Sequence, residues 1–140
     1  MNIEDFNKEI RYYLAGPMSG HKHFNLPLFY EVASTLRAAG LKILNPAELD
    51  TDEVRSACLR SLSGDLSRLP ATWGDMLGRD VKAVADECQG LILLPGWERS
   101  KGARLEAFVA LLKEHVVYQY TEKSKLRLLS LDELREGIIG

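Results

Sequence analysis

The chain has 140 residues, 46% of them hydrophobic, with a net charge of -2 at neutral pH. That length fits one domain with a sizeable core, and the absence of basic excess leaves binding to a nucleic-acid polymer without electrostatic support. The apolar runs are far shorter than a membrane span, so no membrane partner is expected. The opening Met1 to Phe6 is acidic and lacks an apolar signal core, so a cytoplasmic location is expected.

Residues 1–10 are polar and read as a lead-in or a short helix. Arg11 to Ala15 is β-prone and runs into Gly16-Pro17-Met18-Ser19-Gly20, a first strand with its glycine-rich loop. A helix is expected from about Leu26 to Ala39, with Phe29, Val32, Ala33 and Leu36 on one face. Pro27 suits its first turn and Gly40 its C-terminal cap. Leu41 to Leu44 is a second strand, closed by Asn45-Pro46.

Residues 47–71 are the hardest to read: a helix from Glu53 to Leu62, a break at Ser63-Gly64-Asp65, then a flap to Pro70-Ala71. Thr72 is a candidate N-cap with Asp75 as its acidic partner, opening a helix to about Glu87 with Leu77, Val81, Val84 and Cys88 on one face. Leu91 to Leu94 is wholly apolar, as a parallel strand covered on both faces requires. Pro95-Gly96 ends it and Ser100 caps a helix running to about Glu114. Leu105, Phe108, Val109 and Leu112 form the expected core face of that helix. Val116 to Tyr120 reads as a fourth strand and Leu126 to Leu129 as a short fifth. Ser130 caps a last helix, with Leu131 and Leu134 on one side.

Strands alternating with helices predict an α/β protein: a three-layer flavodoxin-like or Rossmann-like sandwich with a mostly parallel sheet of four to five strands, in an order near 2-1-3-4-5. In such sheets ligands sit at the carboxyl ends of the strands. The loop Gly16 to Gly20 lacks the GK[ST] of a P-loop and the GxGxxG of a dinucleotide fingerprint; it reads either as a plain turn or as a close approach to a small phosphorylated or sugar ligand.

Ser100-Lys101-Gly102-Ala103 suits either ordinary capping or an anion site at a helix N-terminus. Glu106, between Leu105 and Ala107, reads as a solvated helix glutamate or as a site carboxylate, with Arg104 nearby to favour its ionised form. Asp80 lies mid-helix, where aspartate has poor propensity, and reads either as a surface ion pair or as a second site carboxylate. Trp73 and Trp97 suit packing or stacking on a base. His21 and His23 find no further ligands at metal spacing, so no metal is expected. Cys58 and Cys88 read as free thiols.

Together the ordered pieces resemble the nucleoside 2-deoxyribosyltransferase superfamily, in a small branch common in phages and bacteria and similar to nucleoside 5'-monophosphate N-glycosidases. The match runs through Tyr13 to Gly20, Phe24-Asn25, Asn45 to Glu48, Trp73, Arg79-Asp80 and Leu93 to Glu106, over roughly residues 11–120. Ser100, Gly102 and Glu106 fit that superfamily's Ser-x-Gly-x-x-x-Glu pattern.

The resemblance implies cleavage or transfer at the N-glycosidic bond of a (deoxy)nucleoside or its 5'-monophosphate. Glu106 would be the nucleophile at C1', Asp80 the acid, and Tyr13 the residue orienting Glu106. Gly16, Ser19, Gly20, Asn25, Trp97, Ser100, Lys101 and Gly102 would form the substrate site. The first loop departs from the hydrolases, carrying Pro17-Met18-Ser19 where they tend to carry Ser-x-Arg. No cofactor is implied, and a homo-oligomer is expected because superfamily pockets are often completed by a neighbouring subunit, with Tyr118 and Tyr120 as candidate contributors. A nucleotide-binding or sensing module without turnover is the alternative. A response-regulator receiver is disfavoured, because no aspartate ends the third strand.

Overall fold

A computed structural model describes residues 6–122 and 125–140. Five strands form one sheet: β1 (Arg11–Ala15), β2 (Lys42–Leu44), β3 (Gly90–Leu93), β4 (Val116–Glu122) and β5 (Lys125–Leu128). Their order is β2-β1-β3-β4-β5, parallel except for β5, which runs antiparallel to β4. The helices are α1 (Leu26–Ala38), α2 (Asp52–Arg60), α3 (Trp73–Lys82), α4 (Lys101–Leu112) and α5 (Leu131–Ile139). This is the α/β three-layer sandwich that the alternation of strands and helices predicts. The expected lead-in helix falls partly on residues 1–5, outside the described residues.

The period-2 geometry of β1 and β3 divides the core into two layers. Tyr12 and Leu14 join Ile92, Leu94 and the α1 residues Phe29, Val32 and Leu36 on one face. Tyr13 and Ala15 join Leu91, Leu93 and the α4 residues Ala103, Ala107 and Ala110 on the other. Both central strands are therefore covered on both sides, and Leu91 to Leu94 are fully buried.

Local signals fix the helix ends. Gly40, at φ 96°, donates to the Arg37 carbonyl while Leu41 donates to Leu36, closing α1. The hydroxyls of Thr72 and Ser100 accept from the third backbone N–H beyond them, and Ser130 forms a capping box with Glu133. Between α3 and β3 the chain loosens into a π-helical turn, Ala83–Glu87, instead of continuing as α-helix. Both cysteines are free and buried.

The core face of α4 differs from the expected one. Ala103, Glu106, Ala107 and Ala110 point inward and Val109 packs against the core as expected, while Leu105, Phe108 and Leu112 are exposed. A stripe of alanines lets the helix lie close to the sheet, and a buried polar partner for Glu106 removes the penalty of placing a carboxyl there. Residue size thus misdirects a reading based on the larger apolar side chains.

Tyr118 lies in the core rather than on an open face: its ring stacks on Phe6 at 4.4 Å. Among the described residues, no helix is long and apolar enough to cross a membrane.

Two glycines should respond to alanine with opposite signs. A Cβ at Gly90 would lie 2.5 Å from the buried Tyr12 ring, whereas one at Gly78, within α3, meets nothing within 4 Å. Gly90→Ala is expected to destabilise by about 1–3 kcal/mol and Gly78→Ala to stabilise by about 0.5–1 kcal/mol. Urea denaturation midpoints check both.

Candidate active site

The site lies at the carboxyl edge of the sheet, where the segments after β1, β2 and β3 meet the first turns of α4. Its inner cavity, about 80 Å³, takes Tyr13 from β1, Gly16 and Ser19 from the first loop, Asp50 from beyond β2, Arg79 and Asp80 from α3, and Glu106 from α4. An outer cavity of about 680 Å³ opens beside it and carries His21, Arg99 and Lys101. Ser19, Leu66, Trp73, Ser100 and Gly102 line both.

The centre is a contact between two residues 93 positions apart. Tyr13 Oη donates a 2.5 Å hydrogen bond to Glu106 Oε2. Both residues are buried, Glu106 being only 6% exposed. Alternation along β1 aims Tyr13 at the α4 face of the sheet, and the alanine stripe brings Glu106 within reach.

Burial pushes the Glu106 carboxyl up to about 8, with the Asp80 charge adding to the effect; the Tyr13 hydrogen bond and Arg79 only partly offset it. The expected ionising influence of Arg104 is not found, because burial dominates and the nearby cation is Arg79. Burial likewise lifts Asp80 to about 6, against the Arg79 charge. The pair therefore titrates as a unit, holding one proton and one negative charge between about pH 6 and 8. Tyr13 is pushed well above its ordinary value by burial and by the adjacent Glu106 and Asp80, so it remains a proton donor.

Arg79 ties Asp80 into a second layer. Its Nε lies 2.9 Å and its Nη2 2.8 Å from Asp80 Oδ1, and its Nη1 lies 2.7 Å from Asp50 Oδ1. Asp80 does have the neighbouring-arginine partner of a surface ion pair, but its side chain is only 13% exposed and lines the cavity.

The remaining sequence candidates divide. Gly16 lines the inner cavity, but its missing side chain is explained by packing, since a Cβ there would lie 2.7 Å from Leu94 Cβ. The Ser100 hydroxyl accepts from Ala103 N at 3.2 Å, so it caps α4 as well as lining both cavities. Lys101 lines the outer cavity alone.

Three candidates line neither cavity. Gly20 turns the chain at φ 82° and donates to the Gly64 carbonyl. Asn25 Nδ2 donates to the Pro17 carbonyl at 2.9 Å, bracing the first loop from behind. Trp97 is buried in the core, its ring filling the space that a side chain at Gly137 would need. Trp73, by contrast, is 45% exposed and stands where the cavities join.

Asp50 also lines the inner cavity, outside every motif in the sequence. The signal that points to it is position: it follows the carboxyl end of β2, on the same sheet edge as the other loops. Among the described residues, no group of three or more His, Cys, Asp or Glu side chains is arranged to hold a metal ion.

Residues 10–118 match the family profile described as a domain of unknown function (DUF4406). The chain belongs to this family. Comparisons with curated proteins and with solved structures gave no match. In this DUF4406 protein Tyr13, Asp50, Asp80 and Glu106 all lie within the matched span.

The raised Glu106 value sets a pH dependence of stability. Its ordinary value is 4.5 and its folded value about 8, so between these the folded state binds the proton more tightly than the unfolded chain. Stability from this group is full below about 4.5 and is lost as pH rises to about 8. Glu106→Gln, which keeps an acceptor for Tyr13, should therefore stabilise the protein little near pH 5 and by a few kcal/mol near pH 8. Thermal unfolding across that range checks the sign.

Proposed function

We propose that this protein cleaves or transfers the N-glycosidic bond of a (deoxy)nucleoside or nucleoside 5'-monophosphate through a glycosyl ester on Glu106. The observation that carries this reading is the 2.5 Å Tyr13–Glu106 hydrogen bond inside a cavity that also holds Asp80. Two carboxyls sharing one proton near neutral pH are what retaining glycoside chemistry requires: one ionised group to attack and one protonated group to assist departure.

Burial raises both carboxyls, Glu106 more than Asp80, so the pair holds one proton in the neutral range. Positive charge developing at C1' favours the Glu106 carboxylate and drives that proton toward Asp80. Tyr13 occupies Oε2, which leaves Oε1 to attack C1' as the bond to the base breaks. Asp80 gives its proton or a hydrogen bond to the departing base, then takes a proton from the water or second base that opens the ester. Preorganised donors held by buried side chains stabilise this charge without reorganising.

The sugar fits the inner cavity beside Gly16 and Ser19. Trp73 offers an aromatic face to the base at the junction. His21, Arg99 and Lys101, with the N-terminus of α4, suit a 5'-phosphate in the outer cavity. Three residues expected to bind substrate, Gly20, Asn25 and Trp97, act in this reading through the first loop and the core. The exposed Leu105, Phe108 and Leu112 on α4 support a homo-oligomer.

A second reading, a nucleotide-binding module without turnover, draws on the same raised Glu106 value: a neutral carboxyl can bind a sugar without attacking it. A panel of nucleosides and monophosphates, assayed for free base by chromatography, separates the two. Release or exchange of a base is expected, with a bell-shaped dependence of kcat/KM whose limbs fall near pH 6 and 8. Tight binding of a nucleotide that stays intact for hours is the opposite result. Glu106→Ala should abolish turnover in a folded protein, and Tyr13→Phe should lower kcat about 10-fold to 100-fold.

A further inference from the structure

We propose that Asp50 is a positioning residue for the Asp80–Glu106 pair, limiting how firmly the Arg79 guanidinium holds the Asp80 carboxylate. This rests on the reading that the pair is the reacting centre. Asp50 does not sit on the helix that carries Asp80; it arrives from the turn after β2, 29 residues before Arg79. Its side chain is only 7% exposed, and Oδ1 lies 2.7 Å from Arg79 Nη1. Arg79 Nε and Nη2 turn to Asp80, and Nη2 also reaches the Pro46 carbonyl at 3.4 Å.

One cation therefore serves two carboxylates, with a third, Glu106, close behind. Arg79 cannot shed its charge in a protein. Left to Asp80 alone, the fork would pin that side chain as a carboxylate and deprive the leaving base of its proton donor. Asp50 takes up part of the charge and leaves Asp80 protonatable.

The groups facing Asp80 are Arg79 on its own helix, Asp50 from the β2 side, Tyr13 from β1 and Glu106 from α4. The negative charge of Asp50 raises Asp80, in the direction the geometry requires.

The test is a pH titration of the carboxyl carbons by NMR on the full chain, in wild type and Asp50→Asn, with Asp50→Glu as the charge-restoring control. The lower midpoint of the pair is expected to fall by about one pH unit in Asp50→Asn and to return toward wild type in Asp50→Glu. Unchanged midpoints in a folded Asp50→Asn protein overturn the proposal, as does a fall of equal size in Asp50→Glu. Asp50→Ser removes the same charge if the Asn variant does not fold; failure of both to fold assigns Asp50 to folding and overturns the proposal. An unshifted titration beside intact base release sinks this proposal alone. A shifted titration beside no base release sinks the glycosidic reading alone.

Discussion

A carboxyl that is 6% exposed on the inner face of a helix needs a donor, and Tyr13 is that donor. Without it Glu106 would be a buried acceptor with a large desolvation penalty. The contact ties the middle of the sheet to α4 and requires the two backbones to approach closely. Ala103, Ala107 and Ala110 permit that approach. Larger side chains at those positions would push the helix outward and break the hydrogen bond.

The electrostatics follow from the same burial. Asp50, Asp80 and Glu106 converge near a single guanidinium, one cation for three carboxyl groups. The Asp80–Glu106 pair resolves the shortage by keeping one proton. Arg79 and Tyr13 keep the cluster from becoming fully neutral. A poised pair of this kind costs stability at neutral pH, and perturbed carboxyls in a cleft mark a candidate functional site on physical grounds. The outer cavity adds the cations Arg99 and Lys101 to its lining, while the carboxyl groups line the inner one.

Much of the architecture was legible because local chemistry agrees with tertiary structure. The apolar run Leu91 to Leu94, the Gly40 cap and the hydroxyl caps at Ser100 and Ser130 all act within a few residues of themselves. Tyr13, Asp80 and Glu106 also meet in one cavity, and each had been singled out on the chain. What stayed hidden depends on long-range packing. The inward face of α4 is set by how near the sheet lies, which larger apolar residues misreport. Asp50 sits in a stretch without periodicity, and only Arg79, far along the chain, gives it meaning. Trp97 and Asn25 stand beside motif residues in sequence but point to the core and to the Pro17 carbonyl.

Under the proposed function Glu106 becomes covalently bonded to a sugar during turnover. The most direct measurement is mass spectrometry of the full-length protein, acid-quenched during incubation with a nucleoside or monophosphate substrate and then mapped by peptide. A glycosyl ester is expected on the peptide carrying Glu106, with its loss in Glu106→Gln. Base release with no sugar on Glu106, or with the sugar on another side chain, would contradict it.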